Sequence, residues 1–262
     1  MSIAIGGNVL GADDFSPTGT TIHPPELVTR GITLWLDAAN DYSFKNTSNY
    51  YDCGYGCQYY SSNPGCVNCN TIWRDMSGYG YDATIESGAQ IIYDQGNGSA
   101  NFQSALSSKC RSQIRPSGAR SYFIWIKYKN LDGTGGYSLT GTQDAAGYTY
   151  LGIQNGGQGY FYAGAGNNSG LYNYTFETGI WYYNGFVLDS GGDVRLYVNG
   201  VLVDSKAAVG VGGTPTNEFF VGCVNSNHFM DAYIPMVHIY NRALTESEIT
   251  QNFNNGRVRF KI

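Results

Sequence analysis

The chain has 262 residues, with 15 Lys+Arg against 20 Asp+Glu for a formal net charge of −5, and 42% of it is hydrophobic and 15% aromatic while only 13% is charged. That size fits one large β domain or two small ones, and the composition is too apolar for a disordered polar chain. The acidic balance offers no Lys/Arg cluster for phosphate backbones, which sets nucleic acid aside, and no apolar run reaches the length of a membrane-spanning helix, so no membrane partner is expected. The 36 Gly and 23 Tyr suit many short strands joined by tight turns, because glycine supplies turn conformations and tyrosine packs its ring while its hydroxyl stays wet.

Residues 1–28 are rich in Gly, Thr and Pro, including Pro17 and the Pro24-Pro25 pair, and show no helical period; they predict an extended N-terminal arm. The first basic residue is Arg30, so the charged start of a secretory signal peptide is missing. A β domain is expected over 29–262, beginning with the β-prone run Gly31-Ile-Thr-Leu-Trp-Leu-Asp37. A Cys/Tyr-rich insertion occupies about 42–70. It is followed by Trp73-Arg-Asp-Met-Ser-Gly78-Tyr-Gly80-Tyr81, in which an aromatic precedes an Asp-x-Ser-Gly turn. Further strands are predicted over 121–128, 149–153, 159–162, 181–188 and 219–222, a spacing that suits a sandwich or barrel. The Gly-rich stretch 152–166 lacks the Lys-Ser/Thr ending of a phosphate loop and reads as a flexible loop. The hairpin Val194-Arg-Leu-Tyr-Val198, Asn199-Gly200, Val201-Leu-Val203 is the clearest element, since Asn-Gly supplies the positive φ angles of a type I′ turn. A strand over 231–240 contains Pro235, which marks an edge or a bulge. Last comes one helix: Thr245-Glu-Ser-Glu248 has capping-box spacing, Leu244 and Ile249 are placed for a hydrophobic staple, and Phe253 continues the apolar face.

Four of these segments occur in a recognisable order. Gly31-Ile-Thr-Leu-Trp-Leu-Asp-Ala, Trp73-Arg-Asp-Met-Ser-Gly-Tyr-Gly, Trp181 leading into Leu196-Tyr-Val-Asn-Gly-Val-Leu, and Val237-His-Ile-Tyr-Asn-Arg-Ala-Leu-Thr-Glu-Ser-Glu-Ile together resemble the concanavalin A-like, laminin-G-like lectin/glucanase superfamily over about 31–260. The ending Ile239-Tyr-Asn-Arg-Ala-Leu, with Gln251-Asn-Phe-Asn-Asn-Gly-Arg-Val-Arg-Phe260, is similar to laminin-G-like domains of tailed-phage virion proteins, notably of marine and cyanobacterial phages. The resemblance implies an all-β, two-sheet antiparallel jelly-roll sandwich with one short C-terminal helix and an extended N-terminal arm. Calcium-binding members present acidic residues where this chain has Asn101-Phe-Gln-Ser-Ala105 and Pro235-Met236. Hard cations need several oxygen ligands at one point, so no calcium site is carried over.

Glucanases of the superfamily use two Glu facing one cleft. Of the six Glu here only Glu246 and Glu248 are close in sequence, and at i,i+2 on a helix they point to different faces, so capping is the better reading and no enzyme is expected. His23, His228 and His238 have no ligand-like spacing. Cys53-x3-Cys57-x8-Cys66-x2-Cys69 is the sharpest local constellation. Two disulfides that staple a loop without a core weigh over the rival, a tetrahedral zinc site, and no other cofactor is expected. Cys110 and Cys223 are a further disulfide or two buried small hydrophobes. The clusters Tyr50-Tyr51, Tyr59-Tyr60, Tyr160-Phe-Tyr162 and Tyr182-Tyr183 suit sugar stacking or subunit contact, with ordinary sheet packing the plainer reading. Sequon matches at Asn46, Asn97, Asn167 and Asn173 read as Asn-rich turns. The functional expectation is a non-enzymatic structural protein at a virion surface, a capsid decoration or related component. Its arm would contact neighbouring subunits, and its partners would be the major capsid protein and copies of itself. The alternatives are a carbohydrate-binding module or adhesin for host-surface glycan, and an extracellular filament subunit.

Overall fold

Continuous apolar runs mark strands buried on both faces, whereas alternating runs mark strands with one wet face. The computed structural model describes residues 25–40, 43, 72–86, 89–92, 98–131, 136–144, 147–154, 156–162, 169–207, 209–212, 218–223 and 228–262. Through them the chain runs β1 (Ile32–Asp37), β2 (Ile72–Trp73), β3 (Ala83–Glu86), β4 (Gln90–Ile92), β5 (Ser99–Phe102), β6 (Lys109–Ser112), β7 (Arg120–Tyr128) and β8 (Gly136–Asp144). It continues with β9 (Gly147–Gln154), β10 (Gln158–Tyr162), β11 (Ser169–Thr175), β12 (Trp181–Leu188), β13 (Val194–Val198), β14 (Val201–Lys206), β15 (Phe219–Val221), β16 (Ala232–Tyr240) and the helix α1 (Glu246–Phe260). One antiparallel sheet has the order β14-β13-β12-β7-β16-β5-β4, with β1 also paired to β16; the other has the order β11-β10-β9-β8-β15-β6-β3-β2. This is the two-sheet sandwich that the sequence implies.

Strand β7 shows why the first sheet is buried on both sides. Tyr122, Ile124, Ile126 and Tyr128 join the core between the sheets, while Phe123 and Trp125, on the opposite face, join a second core beneath α1. Strand β12 divides in the same way, with Tyr182, Phe186 and Leu188 inward and Trp181, Tyr183 and Val187 outward. The Tyr182-Tyr183 pair is therefore sheet packing. Pro235 lies at a bulge, not an edge. The register of β16 against β7 shifts between Tyr233 and Met236, and there the other side of β16 changes partner from β5 to β1.

The helix is built as its sequence predicts. Thr245 and Glu248 close a reciprocal capping box, Glu246 and Glu248 sit in the first turn, and Arg257 and Arg259 sit in the last. Gly256 lets α1 lie directly on the indole of Trp125, since a Cβ there would fall 2.5 Å from Nε1. At the helix end Arg259 donates to Asp37 Oδ1 on β1 (2.7 Å) and to the Gly98 carbonyl (2.7 Å), tying α1 to the sheet edge.

Of the expected arm, residues 1–24 lie outside the described residues. Residues 25–28 belong to the domain: Val28 N–H donates to Asn252 Oδ1 (2.8 Å), and Gln251 and Asn255 donate to the carbonyls of Glu26 and Pro25 (both 2.7 Å). The Asn199-Gly200 hairpin forms with positive φ at both residues (52° and 80°). The loop read over 152–166 is corrected in part. Residues 152–154 end β9 and 158–162 form β10, paired as a hairpin with Gly156 and Gly157 at positive φ between them, and Gly159 serves close packing: a Cβ on it would enter the Tyr172 ring. Residues 163–168 lie outside the described residues. Sequence patterning also passes over β4 and β6, which are only three and four residues long, and β5, β8 and β11, whose Ser-, Thr-, Gly- and Asn-containing runs lack strong β signals.

Candidate functional site

The loop between β2 and β3, residues 74–82, is organised by one carboxylate. Asp75, 5% exposed, accepts from Trp35 N–H (3.0 Å), Ser77 N–H (2.9 Å), Ser77 Oγ (2.7 Å) and Tyr81 N–H (3.0 Å). Its own N–H donates to Asp82 Oδ1 (2.8 Å). Two more bonds reach β1, from Met76 N–H to the Trp35 carbonyl (2.8 Å) and from Ser77 Oγ to the Thr33 carbonyl (3.1 Å). The Asp-x-Ser-Gly turn thus ties the edge of the second sheet to β1 of the first.

Glycines at positive φ, Gly78 (90°) and Gly80 (75°), bracket Tyr79. Among the described residues nothing stands within 4 Å of a Cβ on either one, so it is the backbone conformation that asks for glycine. Tyr79 is 60% exposed, and its ring lies nearly parallel to that of Tyr81 (6.3 Å between centroids, 11° between planes). Among the described residues it is the one aromatic counted with the exposed large hydrophobics. Tyr81 packs against the inter-sheet core. The result is a flat aromatic face on a loop whose backbone is already ordered by Asp75.

Ser43, the one described residue of the insertion, is bound to the start of this loop. Ser43 is buried and receives Arg74 N–H at its carbonyl (2.6 Å), while its hydroxyl donates to the Arg74 carbonyl (2.5 Å). Cys53, Cys57, Cys66 and Cys69 lie outside the described residues, as do Tyr50, Tyr51, Tyr59, Tyr60 and His23. Cys110, on β6, and Cys223, just past β15, are both buried, and the structure holds them as thiols. Burial pushes the Cys110 thiol well up, and the neighbouring Cys223 adds to the effect. Tyr150, Tyr160 and Tyr162 form an aromatic row on the outer face of β9 and β10, with centroids 6.0 Å apart for Tyr150–Tyr160 and 4.9 Å for Tyr150–Tyr162. The stretch of 101–105 turns at Ser104, whose N–H and hydroxyl donate to Asp231 (2.8 and 2.6 Å).

Carboxylates do come together at one place that sequence spacing hides. Strands β3, β6 and β15 bring Glu86 and Glu218 to Arg111, at 2.8 and 2.9 Å, and the hydrogen bond that Arg111 donates to Glu218 chiefly holds the guanidinium pKa up. Glu248 is bound by Arg242 through both oxygens (2.6 and 2.8 Å), which holds its carboxyl at about 2. Of the histidines, His238 is buried on β16 with no hydrogen-bond partner for either ring nitrogen among the described residues, and burial lowers its pKa to about 3.

The two antiparallel sheets packed over one core, with α1 on the outer face of the first, form a lectin-like jelly-roll sandwich. The family model described as the concanavalin A-like lectin/glucanases superfamily matches residues 80–250, and the chain belongs to that superfamily. None of the curated proteins matches the chain in sequence. Among solved structures it is similar to the binding domain of Paraclostridial Mosquitocidal Protein 1 (18% identity, TM-score 0.61, covering 86% of this chain and 52% of that one). It is similar also to domain 4 of AbnA, a GH43 extracellular arabinanase from Geobacillus stearothermophilus, in complex with arabinotriose (19%, TM-score 0.58, 84% and 97%). Trypanosoma rangeli sialidase is a third (14%, TM-score 0.61, 93% and 35%). The chain therefore spans about half of the toxin domain and about a third of the sialidase, and these likenesses establish the fold.

Proposed function

We propose that this chain is a non-catalytic carbohydrate-binding module whose sugar stacks on Tyr79. The observation that carries this reading is an exposed tyrosine face held on a loop that Asp75 has already ordered, so that little conformational freedom is lost on binding. The arabinanase domain of matching size, solved with arabinotriose, and the toxin binding domain support a recognition role for the shared fold. The non-catalytic reading is supported by the engagement of the carboxylates: Glu86 and Glu218 are bridged by Arg111, and Glu248 caps α1. Glycan-array binding by the wild-type chain, lost in Tyr79→Ala, tests the reading; an array with no binder overturns it.

The same module suits a particle surface, the second reading: a virion component, such as a capsid decoration, whose partners are the major capsid protein and copies of itself. It is favoured by the pinning of residues 25–28 to α1, which gives the segment ahead of them a fixed point of departure toward a neighbour. Sedimentation of native particles, with identification of co-migrating chains, tests it; a free monomer contradicts it, and a homopolymer points to a filament subunit. For Cys53, Cys57, Cys66 and Cys69 two disulfides are proposed, and one zinc per chain in a metal assay would overturn that.

A further inference from the structure

On the outer face of the first sheet, beyond the end of α1, register places four side chains in one lateral row. Trp181 pairs with Lys127, Lys127 with Tyr233, and Tyr233 with Asn101, across β12, β7, β16 and β5. Phe260, the last residue of α1, packs on Trp181 at 4.6 Å between centroids, so the helix stops where the row begins. The Lys127 ammonium lies 4.7 Å from the centroid of the Trp181 ring and 5.1 Å from that of Tyr233. Lys129, just past β7, brings its ammonium to 5.2 Å from the same Tyr233 ring and donates to Asn101 Oδ1 (2.7 Å).

Two cations over one ring repel each other, and little here compensates them. Among the described residues the Lys127 ammonium has no carboxylate within salt-bridge reach and donates no hydrogen bond; it lies over the two aromatic faces. Lys129 has the neutral Asn101 as its acceptor. Asp231 acts on it through its charge without a salt bridge, and both of its oxygens accept from Ser104. Burial lowers the Lys129 pKa, and the charge of Asp231 works against that. In a chain of net charge −5 this is a local positive spot, suited to a single anionic group and ill suited to a long polyanion.

We infer that Lys127, Lys129 and Asn101, floored by Trp181 and Tyr233, form a second binding site, which takes the anionic group of an acidic sugar. The two ammonium groups would share the oxyanion through charge-assisted hydrogen bonds, and the Asn101 amide would be released to a ring hydroxyl. The choice of a sugar as the carrier of the charge rests on the glycan-binding reading; the anion site itself stands on the lysine geometry.

The test is titration of the full chain with sodium glucuronate, followed by NMR on the Trp181 indole N–H and the lysine ammonium groups. Glucose, sodium acetate and sodium chloride at equal ionic strength serve as comparisons. The expected result is a saturable shift of Trp181 and Lys127 with glucuronate alone, weakened at least tenfold in Lys127→Gln and in Lys129→Gln. Both variants should leave binding at Tyr79 unchanged, so failure of one site is separable from failure of the other. The inference is overturned by no saturable shift, by acetate binding as tightly as glucuronate, by glucose binding as well as glucuronate, or by variants that bind as the wild type does.

Discussion

Replacing Gly256 by Ala sets two opposite effects against each other in the interior of α1. Alanine is the better helix former by about 1 kcal/mol, so on local propensity alone the variant gains stability. Its methyl, however, would stand 2.5 Å from Trp125 Nε1, 2.6 Å from Cε2 and 2.7 Å from Cζ2, well inside van der Waals contact at ~3.5–4 Å. The indole has nowhere to go. Trp125 is fully buried and is wedged against Phe253, Tyr183 and Phe260 at 5.8, 5.2 and 4.5 Å between centroids. Relief therefore requires α1 to lift, which disturbs the whole outer core and strains the Arg259–Asp37 tie. Overpacking of this kind costs about 1–3 kcal/mol, and a clash with three atoms of a rigid ring belongs at the upper end. Net destabilisation of about 1–2 kcal/mol is expected after the propensity gain. Urea denaturation followed by tryptophan fluorescence measures it, with Ala against Gly at the exposed position Thr250 supplying the propensity effect alone. A Gly256→Ala protein as stable as the wild type, or more so, would refute the close seating of the helix.

Stability should fall with acid in two windows. His238 is held neutral by burial, with a folded pKa of about 3 against about 6.5 unfolded, so the unfolded chain binds the extra proton and stability declines as pH drops from 6.5 toward 3. The loss at pH 5 is about 2 kcal/mol, and His238→Leu should abolish that slope in denaturation at pH 7 and 5; an unchanged slope would contradict it. Glu248, lowered by Arg242, stabilises the fold above pH 4.5 and loses that effect as pH falls toward 2, a contribution that solvent screening keeps to about 1 kcal/mol or less. Arg259→Ala leaves Asp37 with its partner removed in a largely buried setting and should cost about 3 kcal/mol in the same denaturation assay; Asp37→Asn combined with Arg259→Met should recover much of it. Asp75→Ala frees four donors and should loosen the Tyr79 loop, seen as faster amide exchange at Ser77 and Tyr81; unchanged exchange would show that the loop is held elsewhere.

Elements whose signal is local were legible in the sequence. The Asn199-Gly200 turn, the Thr245–Glu248 box and the apolar runs of β7 and β12 carry their own instructions, and the structure forms each of them. The weak strands were not legible, because β5 (SANF) and β8 (GYSLTGTQD) are held by pairing with neighbours distant in sequence. The same reason hid the sites. The turn at Asp75 was visible, but not that one carboxylate would gather donors from β1 and its own loop and leave Tyr79 standing out. Nothing in the spacing of Lys127, Trp181 and Tyr233 announces a shared row, which exists only through the register of three paired strands. Likewise Glu86 and Glu218 converge on Arg111 only once β6 lies between β3 and β15.

The most direct measurement is calorimetric titration of the wild-type chain and of Tyr79→Ala with a glycan selected on the array, alongside the thermal melting of both proteins. Binding by the wild type, at least tenfold weaker in Tyr79→Ala at an unchanged melting temperature, is the result that a stacking platform on a pre-ordered loop predicts. Equal affinity in the two proteins would contradict it.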